Sequence, residues 1–207
     1  TWIRQVQDVA KQHLKNPFLV FIGNIETSAN RNVKQEFLFV RDHDKLARLL
    51  KLFEELVDGS KMLFFCSTKK RVDFVTEKLR LEGWPALSLH GERAQSEREW
   101  VINEFKSGNA PFLIATDVAA RGLDIQDIAV VINYDMPVDL ETYVHRIGRT
   151  GRAGKNGRSI SFITPENAQL TPGLVKLLKE AQQEVPEGMV KLATAVEKKQ
   201  KYIKQGA

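Results

Sequence analysis

Met62-Leu63-Phe64-Phe65-Cys66 is the stretch that sets the fold class. It is apolar throughout, too short for a helix of ordinary length and well suited to a strand. A strand with no polar side must be covered on both faces, as happens in the middle of a parallel sheet. Working outward, residues 45–57 carry Leu46, Leu49, Leu50, Phe53 and Leu56 at helical spacing, and Gly59 closes that helix. Residues 68–81 read as a helix stopped by Gly83 and Pro85, and residues 86–89 as a short strand. A helix over 95–105 bears Trp100, Val101 and Phe105. Strands over 112–116 and 129–134 follow, then a helix capped by Asp139 and running to Ile147, then a strand over 159–163. One more strand precedes the series at 33–40. The alternation predicts an α/β fold: an open, mainly parallel sheet with helices on both faces.

In such sheets ligands gather beyond the carboxyl ends of the strands. Four strands here lead into polar or glycine-bearing turns: Ser67-Thr68, His90-Gly91, Thr116-Asp117 and Asn133-Tyr134-Asp135. A site shared among those turns is the expectation from topology. The net charge of +5 is compatible with nucleic acid without requiring it. A single cysteine, Cys66, excludes an internal disulfide and a multi-cysteine zinc site, and reads as a buried thiol in a reducing, intracellular compartment. No apolar run reaches the ~18 residues of a membrane span. The absence of an initiator Met reads as a fragment of a longer chain.

Three segments carry chemistry. From Thr142 to Pro165 there is no acid, yet Arg146, Arg149, Arg152, Lys155 and Arg158 fall there. Arg149 and Arg152 are flanked by glycines, so two guanidinium forks can converge on one phosphate. In Ala115-Thr116-Asp117-Val118-Ala119-Ala120-Arg121-Gly122-Leu123-Asp124 a buried strand delivers Thr116 and Asp117 to a turn. A helix starting there would aim free N–H groups at an anion, with Gly122 allowing close approach and Asp124 able to accept from a ribose hydroxyl. Asp117 taken singly reads equally as a helix cap. In Leu89-His90-Gly91-Glu92-Arg93 and Gln95-Ser96-Glu97-Arg98, Arg98 lies in the first turn of a helix, where a cation opposes the macrodipole. Its placement suits a nearby anion; an ion pair with Glu97 or Glu92 is the bland alternative.

Together these segments resemble the second, C-terminal RecA-like lobe of the DEAD-box RNA helicases, in helicase superfamily two. The resemblance runs over about residues 33–164 with family order and spacing. Leu63-Phe64-Phe65-Cys66-Ser67-Thr68 is similar to motif IV, Gln95 and Arg98 to the glutamine-x-x-arginine element, and residues 115–124 to motif V. His145-Arg146-Ile147-Gly148-Arg149-Thr150-Gly151-Arg152 is motif VI almost letter for letter. Glu184-Val185-Pro186-Glu187 is similar, more weakly, to the p68-like subgroup. The resemblance implies three parts: residues 1–31 as the end of the first lobe plus the interlobe linker, 32–185 as the second lobe, and 186–207 as a C-terminal helical extension. Within the first part it places a helix over 4–15 and a strand over 18–22. The basic end of the last helix, from Lys198 to Lys204, reads as a solvated helix face rather than a nucleic-acid contact.

The resemblance also implies roles. ATP and Mg²⁺ are held mainly by the first lobe, and no metal site is expected here. Arg149 and Arg152 reach the γ-phosphate as catalytic arginines, and Gly122 and Asp124 contact the nucleotide. Thr68, Gly91, Gln95, Arg98 and Thr116 bind the RNA sugar-phosphate backbone without reading sequence, on a single strand or a locally unwound duplex. His145, Arg146, Arg121 and Asp135 serve interlobe or loop-holding contacts. The phosphate loop, the D-E-A-D tetrad, the S-A-T element and the Q motif, all first-lobe features, do not occur in this chain. The expectation is an RNA-dependent ATPase and helicase lobe, inactive alone and monomeric unless residues 1–23 mediate association. The alternative is a non-catalytic RNA or protein interaction module that retains the helicase fold.

Overall fold

The computed structural model describes residues 4–18, 29–56, 58–120, 125 and 127–205. Six strands build one sheet: β1 (Val33–Phe39), β2 (Lys61–Phe65), β3 (Ala86–Leu89), β4 (Phe112–Ala115), β5 (Ile128–Asn133) and β6 (Gly157–Ile163). Every pairing is parallel, and the order across the sheet is β1-β6-β5-β2-β4-β3. The helices are α1 (Arg4–His13), α2 (Lys45–Leu56), α3 (Lys69–Leu81), α4 (Gln95–Ser107), α5 (Asp117–Ala120), α6 (Leu140–Ile147), α7 (Thr171–Glu180) and α8 (Glu187–Gln205). The expected α/β class is the one observed.

The apolar β2 strand does what its composition demands. Met62 and Phe64 enter a core with Leu49 and Phe53 of α2 and Val72, Val75 and Leu79 of α3. Leu63 and Phe65 point the other way, into a core with Val101 and Phe105 of α4 and Ala119 of α5. Cys66 closes the strand at 0% exposure, and burial pushes its thiol pKa up, out of the reactive range. A third apolar group joins Val33, Phe37 and Ile163 to Tyr143 and Ile147 of α6, Leu174, Leu177 and Leu178 of α7, and Met189 of α8. The connection from β4 to β5 passes over β2, so connections diverge at the β2/β5 boundary. That crevice is where open α/β sheets place ligands.

Local signals acted at most boundaries. Thr68 caps α3, its hydroxyl accepting from Arg71 N, and Asp139 caps α6, its carboxylate accepting from Thr142 N. Thr164 forms a capping box with Asn167 around a 3₁₀ turn, Pro165–Leu170. In the sequence, Thr171-Pro172 reads as an N-cap followed by Pro at N1, and residues 174–185 as the helix that Pro186 separates from the last one; the structure differs at both boundaries. Thr171 does not cap α7; it lies inside the helix and its hydroxyl donates to Ala168 O at 2.6 Å, while Leu170 holds the cap position. The helix also ends at Glu180 rather than near Val185, because Gln182 adopts a left-handed φ of 58°. The turn frees Gln183 to act as a strand would. Its Nε2 donates to Val33 O at 2.6 Å and its Oε1 accepts from Gln35 N at 2.8 Å. The amide thereby blunts β1, the edge strand.

Val9 in α1 and Leu14 just after it are 56% and 53% exposed, so this lobe does not cover them. Thr1, Trp2 and positions 19–22 of the strand expected at 18–22 lie outside the described residues, as do positions 24–28 of the linker.

At the carboxyl edge of the sheet a charged cluster is buried. Lys45 Nζ donates to Asp135 Oδ1 at 2.7 Å and lies 3.0 Å from Asp42 Oδ1. Arg71 pairs with Asp42 and approaches Asp135 at 3.5 Å, with its guanidinium over the Tyr134 ring. Ser67 donates both its N–H and its hydroxyl to Asp135 Oδ2 at 3.0 Å. Asp135, expected to serve interlobe or loop-holding contacts, has its carboxylate engaged inside this lobe, at 6% exposure. Burial works to raise its pKa, but Lys45, the Ser67 N–H and Arg71 outweigh it and hold the carboxyl below the usual range.

Removing one partner of a buried pair strands the other charge. Asp135→Ala is expected to cost about 3–5 kcal/mol of stability by denaturant unfolding. A depressed folded pKa makes its stabilisation complete above the unfolded Asp value of about 3.9 and progressively lost as pH falls through the folded pKa. The stability difference between wild type and Asp135→Asn should accordingly shrink below about pH 4.

Candidate functional site

Arg146 organises the site. On α6 it shares a helical face with Tyr143 and Ile147, both buried, and it is itself 2% exposed. Its Nε and Nη2 donate to the two carboxylate oxygens of Asp117 at 2.6 and 2.7 Å, a bidentate pair. Its Nη1 donates to Asp135 O at 2.6 Å and to Asn133 Oδ1 at 3.2 Å. The guanidinium lies 4.9 Å from the centroid of Phe65. The expected interlobe role of Arg146 gives way to an internal one: its donors are all directed within this lobe. The spacing 143, 146, 147 was the signal in the sequence, since it sets Arg146 on the same helical face as two buried side chains. Asp117 is correspondingly neither a bare helix cap nor an open anion-binding turn; its carboxylate is the Arg146 counter-ion.

Arg146 opens onto a cleft of about 360 Å³ lined by Asn30, Phe65, Asp117, Ala120, Thr142, Val144, His145, Arg146, Gly148, Arg149 and Arg152. Arg149 and Arg152 stand together at one end of it. Burial and the Arg152 charge both lower the Arg149 pKa, so the two cations are close enough to repel. Arg152 Nε donates to Gly148 O at 2.9 Å. A phosphate between the pair would remove the like-charge conflict. His145 lines the same cleft and is exposed, as an outward contact requires.

The arginines do not lie where topology alone put the site. Thr150, between them, donates its hydroxyl to Ile128 O and Ala129 O, at the amino end of β5. Gly157 begins β6 a few residues later, two positions before the strand expected from the sequence. The eight-residue α6, about 12 Å long, carries the chain from the carboxyl edge of the sheet to the amino edge. The cleft therefore runs down the face of α6 rather than across the strand ends alone. Of the five basic residues in the acid-free segment, three are taken by acids elsewhere: Arg146 by Asp117, Lys155 by Asp127 and Arg158 by Glu36.

The turns at the other end of the sheet form a second surface. Thr68, Gly91 and Thr116 follow β2, β3 and β4, which lie side by side in the order β2-β4-β3. With strands about 4.8 Å apart, the three turns span about 10 Å. Thr68 and Gly91 are exposed, Thr116 is half-buried and its N–H donates to Leu89 O. Gln95 is exposed and donates to Glu99. Arg98 is half-buried, and its Nε is shielded from solvent without a hydrogen-bond partner. The two acids that could have taken it are engaged elsewhere: Glu97 accepts from Arg93, and Glu92 from Lys69. Arg93 also reaches Asp73 and Ser88, so it is the structural cation of this turn. Arg121, Gly122 and Asp124 lie outside the described residues. The residues that sequence reasoning missed are Asn30 and Lys45, which no motif flags; Asn133 entered only as part of a strand-end turn, without its bond to Arg146.

A RecA-like α/β lobe with neighbouring arginines in the loop after α6 and a cluster of polar turns at the strand ends is the class these features define. Comparison places it further. Residues 44–154 match the helicase conserved C-terminal domain. The chain is 49% identical over 185 residues to DEAD-box ATP-dependent RNA helicase 20 of Arabidopsis thaliana, covering 89% of this chain and 37% of that protein. It is 47% identical over 193 residues to the ATP-dependent RNA helicase DBP2 of Candida glabrata, covering 92% of this chain and 36% of that protein. Among solved structures, the RNA helicase Prp28 of Chaetomium thermophilum bound to ADP superposes with a TM-score of 0.70 at 31% identity, covering 91% of this chain and 46% of that one. The chain thus belongs to the DEAD-box helicases of superfamily two, as a C-terminal helicase domain, and spans about a third of the length of the relatives it matches.

Breaking the Arg146 pair tests its place in this architecture. Arg146→Lys supplies one ammonium where Asp117, Asn133 and Asp135 O converge on a planar fork, so it is not conservative. A loss of about 3 kcal/mol is expected by chemical denaturation, at the low end for a buried pair because Asp117 keeps some solvent.

Proposed function

We propose that this domain is the second lobe of an ATP-dependent RNA helicase and that it supplies Arg149 and Arg152 to the γ-phosphate of ATP held between two lobes. The observation that carries this reading is the pair of neighbouring guanidiniums lining one cleft, beside the apolar side chains of Phe65, Ala120 and Val144. In phosphoryl transfer, charge on the transferred group is met by preplaced cations, and an arginine finger is worth ~10³–10⁵ in rate. Asp124 and Gly122 are assigned to the nucleotide, and His145 and Arg121 to the contact with the first lobe. Mg²⁺ is assigned to the first lobe. Among the described residues no group of three or more His, Cys, Asp or Glu side chains comes together.

RNA is assigned to the turn surface. Thr68 and Thr116 offer hydroxyls, Gly91 an open backbone, and Gln95 and Arg98 side chains at the start of α4. Arg98 lies in the first turn of α4, where a cation opposes the macrodipole, a placement that suits a phosphate oxygen. Among the described residues no exposed aromatic cluster sits at these turns, and binding is assigned to the backbone rather than to the bases. ATP and RNA each favour the closed arrangement of the two lobes, and hydrolysis releases it. By itself the domain lacks the groups that grip and orient the nucleotide, and it neither hydrolyses ATP nor unwinds RNA.

Three measurements test this. In the full-length protein, Arg152→Ala should reduce RNA-stimulated ATPase by about 10³-fold or more while leaving RNA affinity nearly intact. Near-normal turnover would remove the finger assignment. The isolated domain should bind single-stranded RNA weakly, with a log–log salt slope of about −2 for three phosphate contacts. Arg98→Ala should make that slope shallower by about 0.7. A wild-type slope of zero would remove the RNA surface.

A further inference from the structure

The chain that leads into β1 is hydrogen-bonded to the loop that carries the two arginines. Asn30 Nδ2 donates to Gly151 O at 2.8 Å, across 121 positions of sequence. The other end of the same amide is also used, Oδ1 accepting from Asn32 N at 3.0 Å. Asn30 O accepts from Val33 N at 3.0 Å, and Asn32 O from Gly157 N at 2.8 Å. The side chain is thus oriented by its own turn and braced on the start of β1.

Gly151 lies between Arg149 and Arg152 and has a φ of +66°. A Cβ there would come within 2.6 Å of Val33 Cγ2. The loop therefore passes over Asn30 and Val33 with no room to spare, and only glycine takes both that conformation and that approach. Asn30 also lines the cleft into which the arginines face. For both arginines to address one phosphate, the backbone between them has to be held from outside the loop. The Asn30 amide is placed to do so.

We infer that Asn30 is a positioning residue for the arginine pair: by holding the Gly151 carbonyl it fixes the backbone between Arg149 and Arg152, and it makes the segment joining the lobes part of the phosphate-contacting apparatus. This rests on the reading of Arg149 and Arg152 given above. Asn30 itself touches no reacting atom in this account.

The test uses the full-length protein. Asn30→Asp keeps the shape and the Oδ1 acceptor but loses the donor, setting a carboxylate against a carbonyl; Asn30→Ala removes the amide without adding charge. Both variants are expected to lower kcat for RNA-stimulated ATP hydrolysis about tenfold, equivalent to about 1.4 kcal/mol of barrier. KM for ATP, RNA affinity and the thermal midpoint should stay near wild type. Affinity for ADP–fluoroaluminate in the presence of RNA should fall by a similar factor, with affinity for ADP alone unchanged. In an Arg152→Ala background, Asn30→Asp should bring no further loss of fluoroaluminate affinity, because the residue acts through the arginines. Wild-type kcat in both Asn30 variants, or an equal further loss in the Arg152→Ala background, would overturn the inference. If Arg152→Ala alone keeps full fluoroaluminate affinity, the arginine reading falls and this inference with it. If Arg152→Ala loses affinity and the Asn30 variants do not, only the inference falls.

Discussion

The buried guanidinium of Arg146 is the interaction on which the rest of the site depends. A cation taken out of water is tolerated only when its donors are met, and here they are met from three directions. Asp117 comes from the turn after β4, Asn133 and Asp135 from the end of β5, and Phe65 from the end of β2. One side chain of α6 thereby gathers three strand ends at the point where the sheet's connections diverge. Whatever follows α6 in the chain, Arg149 and Arg152 included, is placed by where that guanidinium sits.

Asp135 extends this constraint. Its backbone carbonyl receives Arg146, while its carboxylate receives Lys45 and Ser67. Ser67 precedes Thr68, the first of the turns assigned to RNA. A single residue thus joins the turn at the end of β2 to the helix that leads to the arginine loop, through groups that have little freedom to move separately. Physical continuity of this kind is what a coupling between an RNA site and a nucleotide site requires, since packed and hydrogen-bonded interiors shift between discrete arrangements. Net charge plays a small part in this picture. Most basic residues of the acid-free segment are neutralised by acids distant in sequence, and the local geometry of the remaining pair matters more than the total of +5.

The sheet was legible because its residues leave few choices. A five-residue apolar run such as Met62–Cys66 must be covered on both sides, and Leu49, Phe53 and Leu56 can face only one way on a helix. Caps at Thr68 and Asp139 were readable for the same reason, as local chemistry with local consequences. The end of α7 was not readable: it turns on the left-handed conformation of Gln182, and the advantage of that turn lies in Gln183 meeting β1, far away in sequence. The candidate phosphate arginines stood out by their glycine spacing. Arg146 belonged to the same run of letters, and only its helical phase separated it from them.

The sequence by itself determined the α/β class, the parallel strands and which segments carry chemistry, because hydrophobic period, glycine spacing and capping act over a few residues. Tertiary structure alone decided the direction of each charged side chain. Asp117 became a counter-ion, Asp135 an internal tie and Asn30 a brace on Gly151, and Arg98 was left with a shielded nitrogen facing no acid. The reason is that a charge or an amide is satisfied by whatever group folding brings near it. Those partners stand 29, 90 and 121 positions away for Asp117, Asp135 and Asn30, beyond the reach of any local pattern.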